Sequence, residues 1–211
     1  MGLREVKKQQ TRELIAAQAM RLFATRGFDQ VTVLEVAAAA GVSEKTVFNY
    51  FPTKEDLFYD EVPAREAALI GAIRERRPGE SILQSLRRLQ VAECPRLCSP
   101  GFATFARIIE DSPDLRAKEL EIMARFSQVL ADAIQEELAV DERDARIAAG
   151  LLISIHRQMF RMAREQALAG KHGPAAVRRL ESDLDRAYEL LEHGLSRLDD
   201  PTAAVASAAE S

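Results

Sequence analysis

The sequence predicts an all-α protein: a small three-helix N-terminal head followed by a larger C-terminal helical body, about nine helices in all. Three observations carry that reading. Apolar residues recur at intervals of three and four through most of the chain, the period of a helix with one buried face. Aliphatic and charged residues dominate, with no Trp and few aromatics, a composition that suits helices. The 10 Gly and 8 Pro of the 211 residues stand mostly between the periodic segments, where they punctuate rather than interrupt. The length suffices for one or two domains and a sizeable core.

Residues 1–9 are polar and partly basic (Arg4, Lys7, Lys8) and read as a flexible arm. The first helix is expected over about 10–26, with an apolar stripe of Ile15, Ala19, Leu22 and Phe23. Gly27 reads as its left-handed cap, with Phe28 folding back onto it. Thr32 and Glu35 have capping-box spacing and open a short apolar helix that Gly41 ends. Val42 plugs the corner, Ser43 caps the next short helix, and Pro52 stops it. Thr53 and Asp56 cap a longer helix running to about Arg76, with a kink or break expected near Pro63. Two short helices joined by a Gly-containing turn form a helix-turn-helix over about 32–51. The second helix of such a unit is shaped to enter the major groove of DNA.

Pro78-Gly79 marks the next boundary, and helical segments follow near 80–93, 102–111, 113–139, 141–169 and 174–198. Residues 199–211 are small and polar and read as a disordered tail. The last helix carries Val177, Leu180, Leu184, Ala187, Leu191, Gly194 or Leu195, and Leu198 in a heptad-like seam. The helix before it has a companion stripe at Ala148, Leu151, Ile155, Met159 and Met162. Either stripe can face a second protomer or the core of its own chain.

The head resembles the DNA-binding domain of the TetR family of bacterial regulators. The resemblance is carried by Phe23, Gly27-Phe28, residues 32–40, Gly41-Val42-Ser43, residues 46–51 and Lys54-Glu55-Asp56-Leu57. It covers about residues 10–60; beyond that only helical pattern and length agree. It implies a DNA-binding domain over 1–55 and a regulatory and dimerisation domain over 56–198, with the tail after it. It also implies a homodimer that pairs its last two long helices, through residues such as Leu151, Ile155, Met162, Leu180, Leu184, Leu191 and Leu195; a cytoplasmic location is expected by default, since neither a membrane span nor a signal peptide is evident. The expected DNA partner is then a double-stranded, pseudo-palindromic operator, and the resemblance implies a small-molecule effector in the body that relieves repression. In the family the equivalents of Thr32, Tyr50 and Lys54 contact phosphates, and Ser43 is grouped with them. An aromatic at the position of Phe48 reaches DNA in some members; Phe48 either does the same or packs inward.

The residues of the third helix have their own chemistry. Lys45 can donate to guanine acceptors, Thr46 can meet a thymine methyl, and Asn49 can bond an adenine edge or a phosphate. Glu44 either accepts from cytosine or stays solvated. Val47 and Phe51 are expected to pack inward. Candidate pocket liners in the body are Phe102, Phe105, Ile109, Met123, Phe126, His156, Met159, Phe160 and Met162, because Met and Phe adapt to varied apolar ligands. His156 either orients a polar ligand group or is a satisfied core histidine.

The net charge of −4 looks wrong for a DNA partner, but its distribution does not. Residues 1–54 hold 8 Lys/Arg against 5 Asp/Glu, a balance of +3; the remainder holds 21 against 28, a balance of −7. A basic end on an acidic remainder directs attraction for DNA to one part of the molecule. Cys94 and Cys98 are one turn apart and read as small buried thiols or, alternatively, as a redox or soft-metal sensor, with Pro95 disturbing the helix between them. His156, His172 and His193 lie far apart, and there is no metal spacing, nucleophile motif or phosphate loop, so neither enzymatic activity nor a cofactor is expected. No apolar run approaches a membrane span and no signal peptide is evident. The alternative function is a DNA-binding regulator, or an activator, that is independent of ligand or controlled by a protein partner.

Overall fold

The computed structural model describes residues 2–194, and among them ten α-helices and no strand. They form two compact units. The first comprises residues 2–67 with 103–124; the second comprises 68–102 with 125–194. Leu195, Leu198 and the tail over 199–211 lie outside the described residues.

The first unit contains α1 (Leu3–Arg26), α2 (Val33–Ala40), α3 (Glu44–Tyr50) and α4 (Lys54–Phe58), with the start of α5 (Val62–Arg74), most of α7 (Pro100–Asp111) and the start of α8 (Pro113–Leu138). The expected arm is instead the opening of α1. The Glu5 carboxylate accepts the Gly2 N–H at 2.9 Å, and Lys, Gln and Arg propagate a helix well. The expected break near Pro63 separates α4 from α5, with residues 59–61 between them. Pro63 falls in the first turn of α5, where a missing N–H costs no helical bond.

Side-chain caps set the boundaries of the short helices. Thr32 Oγ1 accepts the Glu35 N–H at 3.3 Å while Glu35 Oε2 accepts the Thr32 N–H at 2.8 Å. Gly41 takes the left-handed conformation (φ 69°, ψ 30°), and Val42 N–H returns to Ala37 O at 3.0 Å. Ser43 Oγ accepts the Thr46 N–H at 3.1 Å, and Thr53 and Asp56 close a second capping box. Ile15, Ala19, Val36, Ala37, Val47, Phe51 and Leu57 form the core between these helices. Burying each large apolar side chain contributes roughly 1.5–3 kcal/mol.

An aromatic cluster extends that core. Phe23 lies 5.0 Å from Phe28, Phe28 meets Phe58 edge-on at 6.3 Å, and Phe105 stacks on Phe58 at 4.5 Å. Within the same unit Ser112 Oγ donates to Asp29 Oδ1 at 2.8 Å, Tyr59 donates to the Leu115 carbonyl at 3.0 Å, and Lys118 pairs with Asp56 at 3.6 Å. Residues 105–118 therefore complete the head's core.

The second unit is organised by α6 (Ile82–Leu97), α9 (Glu142–Leu168) and α10 (Pro174–His193), which pack on one another. Gly173 N–H donates to Cys98 O at 3.0 Å and Arg87 pairs with Asp185 at 2.7 Å, so α6 and α10 run antiparallel. Ala176, Leu180, Leu184 and Tyr188 form the buried face of α10 at four-residue spacing. Contrary to expectation, α6 continues past Pro95 to Leu97; only its last residues follow the proline. No described helix is long and apolar enough to cross a membrane.

Candidate nucleic-acid interface

The head presents α3 with both its ends tied by local hydrogen bonds. Ser43 caps its start, its Phe51 N–H closes on Val47 O at 2.9 Å, and Val47 and Phe51 are buried as expected. Glu44, Lys45, Phe48 and Asn49 remain exposed. Phe48 keeps 44% of its surface accessible, which places it outside the head's core. Thr46 and Tyr50 are half-buried, and Thr46 Oγ1 lies 2.8 Å from Ser43 Oγ.

The residues grouped as phosphate contacts carry local bonds of their own. The Thr32 hydroxyl and N–H are both within hydrogen-bond distance of the Glu35 carboxylate. That carboxylate is held down to about 2 by the Thr32 N–H first and then by Arg26, whose Nη1 is 2.7 Å away. A negative charge thus occupies the start of α2, where a phosphate has to compete with it. Lys54 Nζ sits 4.1 Å from the centre of the Phe28 ring, and partial burial lowers its pKa while Asp29 and Glu55 oppose that shift.

Sequence reading missed one wall of this surface. Asn49 and Tyr50 line an open cleft of about 370 Å³ together with Glu5, Lys8, Gln9 and Arg12 of α1. The available signal was the spacing of 5, 8, 9 and 12, which share one face only if the helix begins before residue 10. Arg12 is committed within this wall: Nη2 donates to Asp60 O at 2.9 Å, and its guanidinium lies 4.7 Å from the Phe51 ring centre. Asp60 also accepts a longer ion pair from Arg12 at 3.9 Å, yet burial outweighs that attraction and raises its carboxyl above the usual range.

The other candidate residues separate by unit. Phe105, Ile109 and Met123 belong to the first unit, and Phe105 and Ile109 pack with the head's core. Phe102, Phe126, His156, Met159 and Phe160 belong to the second. There the His156 ring lies 6.0 Å from Phe126 and 4.9 Å from Phe160. Met159 is fully buried and Met162 half-buried. Of the residues assigned to a dimer seam, Leu180 and Leu184 are buried within the protomer and Ile155 nearly so. Met162 and Leu191 are half-buried, and Leu151 is 50% exposed. Cys94 and Cys98 are buried free thiols; burial pushes Cys94 up to about 12 and also raises Cys98. Both are protonated near neutrality, the state that resists oxidation and metal binding.

A short capped helix with an exposed polar face, set behind a glycine turn on a three-helix frame, defines a helix-turn-helix DNA-binding protein. Residues 15–60 match the family model described as bacterial regulatory proteins, tetR family. That match agrees with the resemblance carried by the head. It is 28% identical over 160 residues to the HTH-type transcriptional regulator TcmR of Streptomyces glaucescens, covering 70% of this chain and 71% of that one. Over 56 residues, 26% of this chain and 25% of the relative, it is 48% identical to the HTH-type transcriptional regulator LuxR of Vibrio harveyi. Among solved structures it shares the fold of Thermus thermophilus FadR, a TetR-family transcriptional repressor in complex with lauroyl-CoA. The TM-score is 0.53 at 23% identity, covering 87% of this chain and 94% of that one.

Proposed function

We propose that this regulator is a homodimeric repressor that binds a pseudo-palindromic DNA operator and leaves it when a small hydrophobic or amphipathic ligand binds the body. The observation that carries the DNA half is the first turn of α3, with Glu44 and Lys45 exposed and Thr46 half-buried beside them, aimed outward by the buried Val47 and Phe51. The first turn of a recognition helix is where base edges are met.

The ligand half is supported from the second unit. Gln90, Gln166 and Tyr188 are at least nine-tenths buried. Gln90 Oε1, both Gln166 amide atoms and the Tyr188 hydroxyl have no hydrogen-bond partner among the described residues. A buried polar atom left unbonded costs roughly 1–3 kcal/mol, which a ligand carrying hydrogen-bonding groups would offset. The lauroyl-CoA held by the Thermus protein is amphipathic in that sense. Release requires that such a ligand bind the form that does not hold DNA better than the form that does.

The test is selection of bound duplexes from a random pool by the full chain, then release assays with a panel that includes acyl-CoA thioesters. Two-fold symmetric sites and release by a panel member are expected. Sites without two-fold symmetry would overturn the dimeric operator reading. Symmetric sites that no compound releases would favour the ligand-independent or partner-controlled regulator, and operator position relative to the promoter separates repressor from activator.

A further inference from the structure

The cleft between α1 and the end of α3 lies largely outside the segment that carries the family likeness. That match begins at residue 15, whereas one wall consists of Glu5, Lys8, Gln9 and Arg12. We propose that this cleft seats a backbone phosphate of the bound duplex, with Lys8 as its cation and the Tyr50 hydroxyl and Asn49 amide on the facing wall. The inference rests on the DNA-binding reading of the head and extends its surface beyond the helix-turn-helix.

Three observations support it. The cleft is continuous with the recognition helix, since Asn49 and Tyr50 are the last residues of α3 and also its lining. A strand whose bases meet the start of α3 carries its phosphates past such flanking positions, where contacts fix register without reading sequence. The charges on the α1 wall also have unequal commitments. Arg12 is held by Asp60 and the Phe51 ring, so it props α1 in place. Gln9 donates to Glu13 at 2.8 Å. Lys8 is exposed and has no carboxylate partner among the described residues, which leaves its charge available to an anion. Finally, the wall exists only because α1 starts at Leu3, which brings positions 5, 8, 9 and 12 onto one face. Glu5 opposes the seat: its carboxylate accepts the Gly2 N–H and stands on the same wall. It therefore limits affinity rather than adding to it.

The experiment is a fluorescence-anisotropy titration of the full chain against a selected operator and a scrambled duplex of equal length, repeated over a range of KCl. Lys8→Ala is expected to weaken binding to both duplexes by the same factor, about three- to tenfold, and to lower the salt slope by about one unit. Lys8→Arg should restore both quantities, and Glu5→Gln should tighten binding. Lys7→Ala removes a neighbouring charge that does not line the cleft and should cost less. An unchanged salt slope in Lys8→Ala, or an equal loss in Lys7→Ala, would overturn the seat while leaving the DNA-binding reading intact. Wild-type protein that bound neither duplex would overturn both. Far-ultraviolet circular dichroism of each exposed-site variant checks that the helices are retained.

Discussion

Lys54 serves two demands at once, and its substitution has to separate them. Its charge rests over the Phe28 ring, in the head's core, while it opens α4. Lys54→Ala is expected to weaken binding to every duplex and lower the salt slope by about one unit, but it also removes the contact with Phe28. Lys54→Met keeps the stem against the ring and isolates the charge; an unchanged salt slope in that variant would remove Lys54 from the phosphate contacts. Lys45 is exposed in the first turn of α3, so Lys45→Ala should instead relax preference at one base position of selected sites. Glu35 makes a pH-dependent contribution. Its carboxyl is depressed in the folded head from 4.5 to about 2, mainly by the Thr32 N–H and Arg26. A group depressed on folding stabilises the native state above its unfolded pKa and loses that contribution as pH falls through its folded one. Wild-type protein should therefore lose more urea resistance than Glu35→Gln as pH drops from about 5 towards 2, and parallel losses in the two proteins would contradict this.

At the scale of elements, two left-handed residues allow predictions of opposite sign. Gly41 ends α2 at φ 69°, and a Cβ there would meet no atom within 4 Å, so Gly41→Ala isolates backbone strain. It should destabilise the protein by about 1 kcal/mol. Ala139, between α8 and α9, sits at φ 51° although it carries a Cβ. Ala139→Gly should be stabilising by up to about 1 kcal/mol, and equilibrium urea unfolding measures both. The helix-turn-helix was legible in the chain because its caps are local: Thr32 with Glu35, Gly41, Ser43 and Thr53 with Asp56 each act within a few residues. The long helices were legible from periodicity and from Gly173-Pro174 at the start of α10. What was not legible depends on distant partners. Nothing near Phe105 or Ser112 announces that they meet Phe58 and Asp29, so residues expected to serve the body instead complete the head. The cleft wall was hidden for a different reason: a polar run such as 3–9 has no apolar stripe, and its helix is held by propensity and by Glu5 at its start.

For the whole molecule, the question is which apolar surface a second protomer would cover. The heptad-like seam of α10 does not provide it intact, because Leu180 and Leu184 are fully buried against their own chain. On α9, by contrast, Ile147 and Leu151 are 57% and 50% exposed and stand four residues apart on one face. Adjacent exposed aliphatics of this kind are the surface that association would remove from water. Leu151→Glu places a charge at the centre of that stripe without touching the buried faces of α9 or α10, so the protomer should keep its helical content and its head. A charge buried unpaired in an interface costs several kcal/mol, enough to dissociate a dimer at micromolar concentration. Sedimentation velocity is therefore expected to show a dimer for the wild type and a monomer for Leu151→Glu. The basic balance of residues 1–54 is present in either state, so the variant should still bind duplexes weakly and with a salt dependence of its own. Its loss should be confined to the advantage of a two-fold site over a single half-site, because only a dimer presents two heads at a set spacing. A variant that stayed dimeric, or that monomerised yet still preferred the symmetric site as strongly as the wild type, would show that the pairing surface lies elsewhere on the chain.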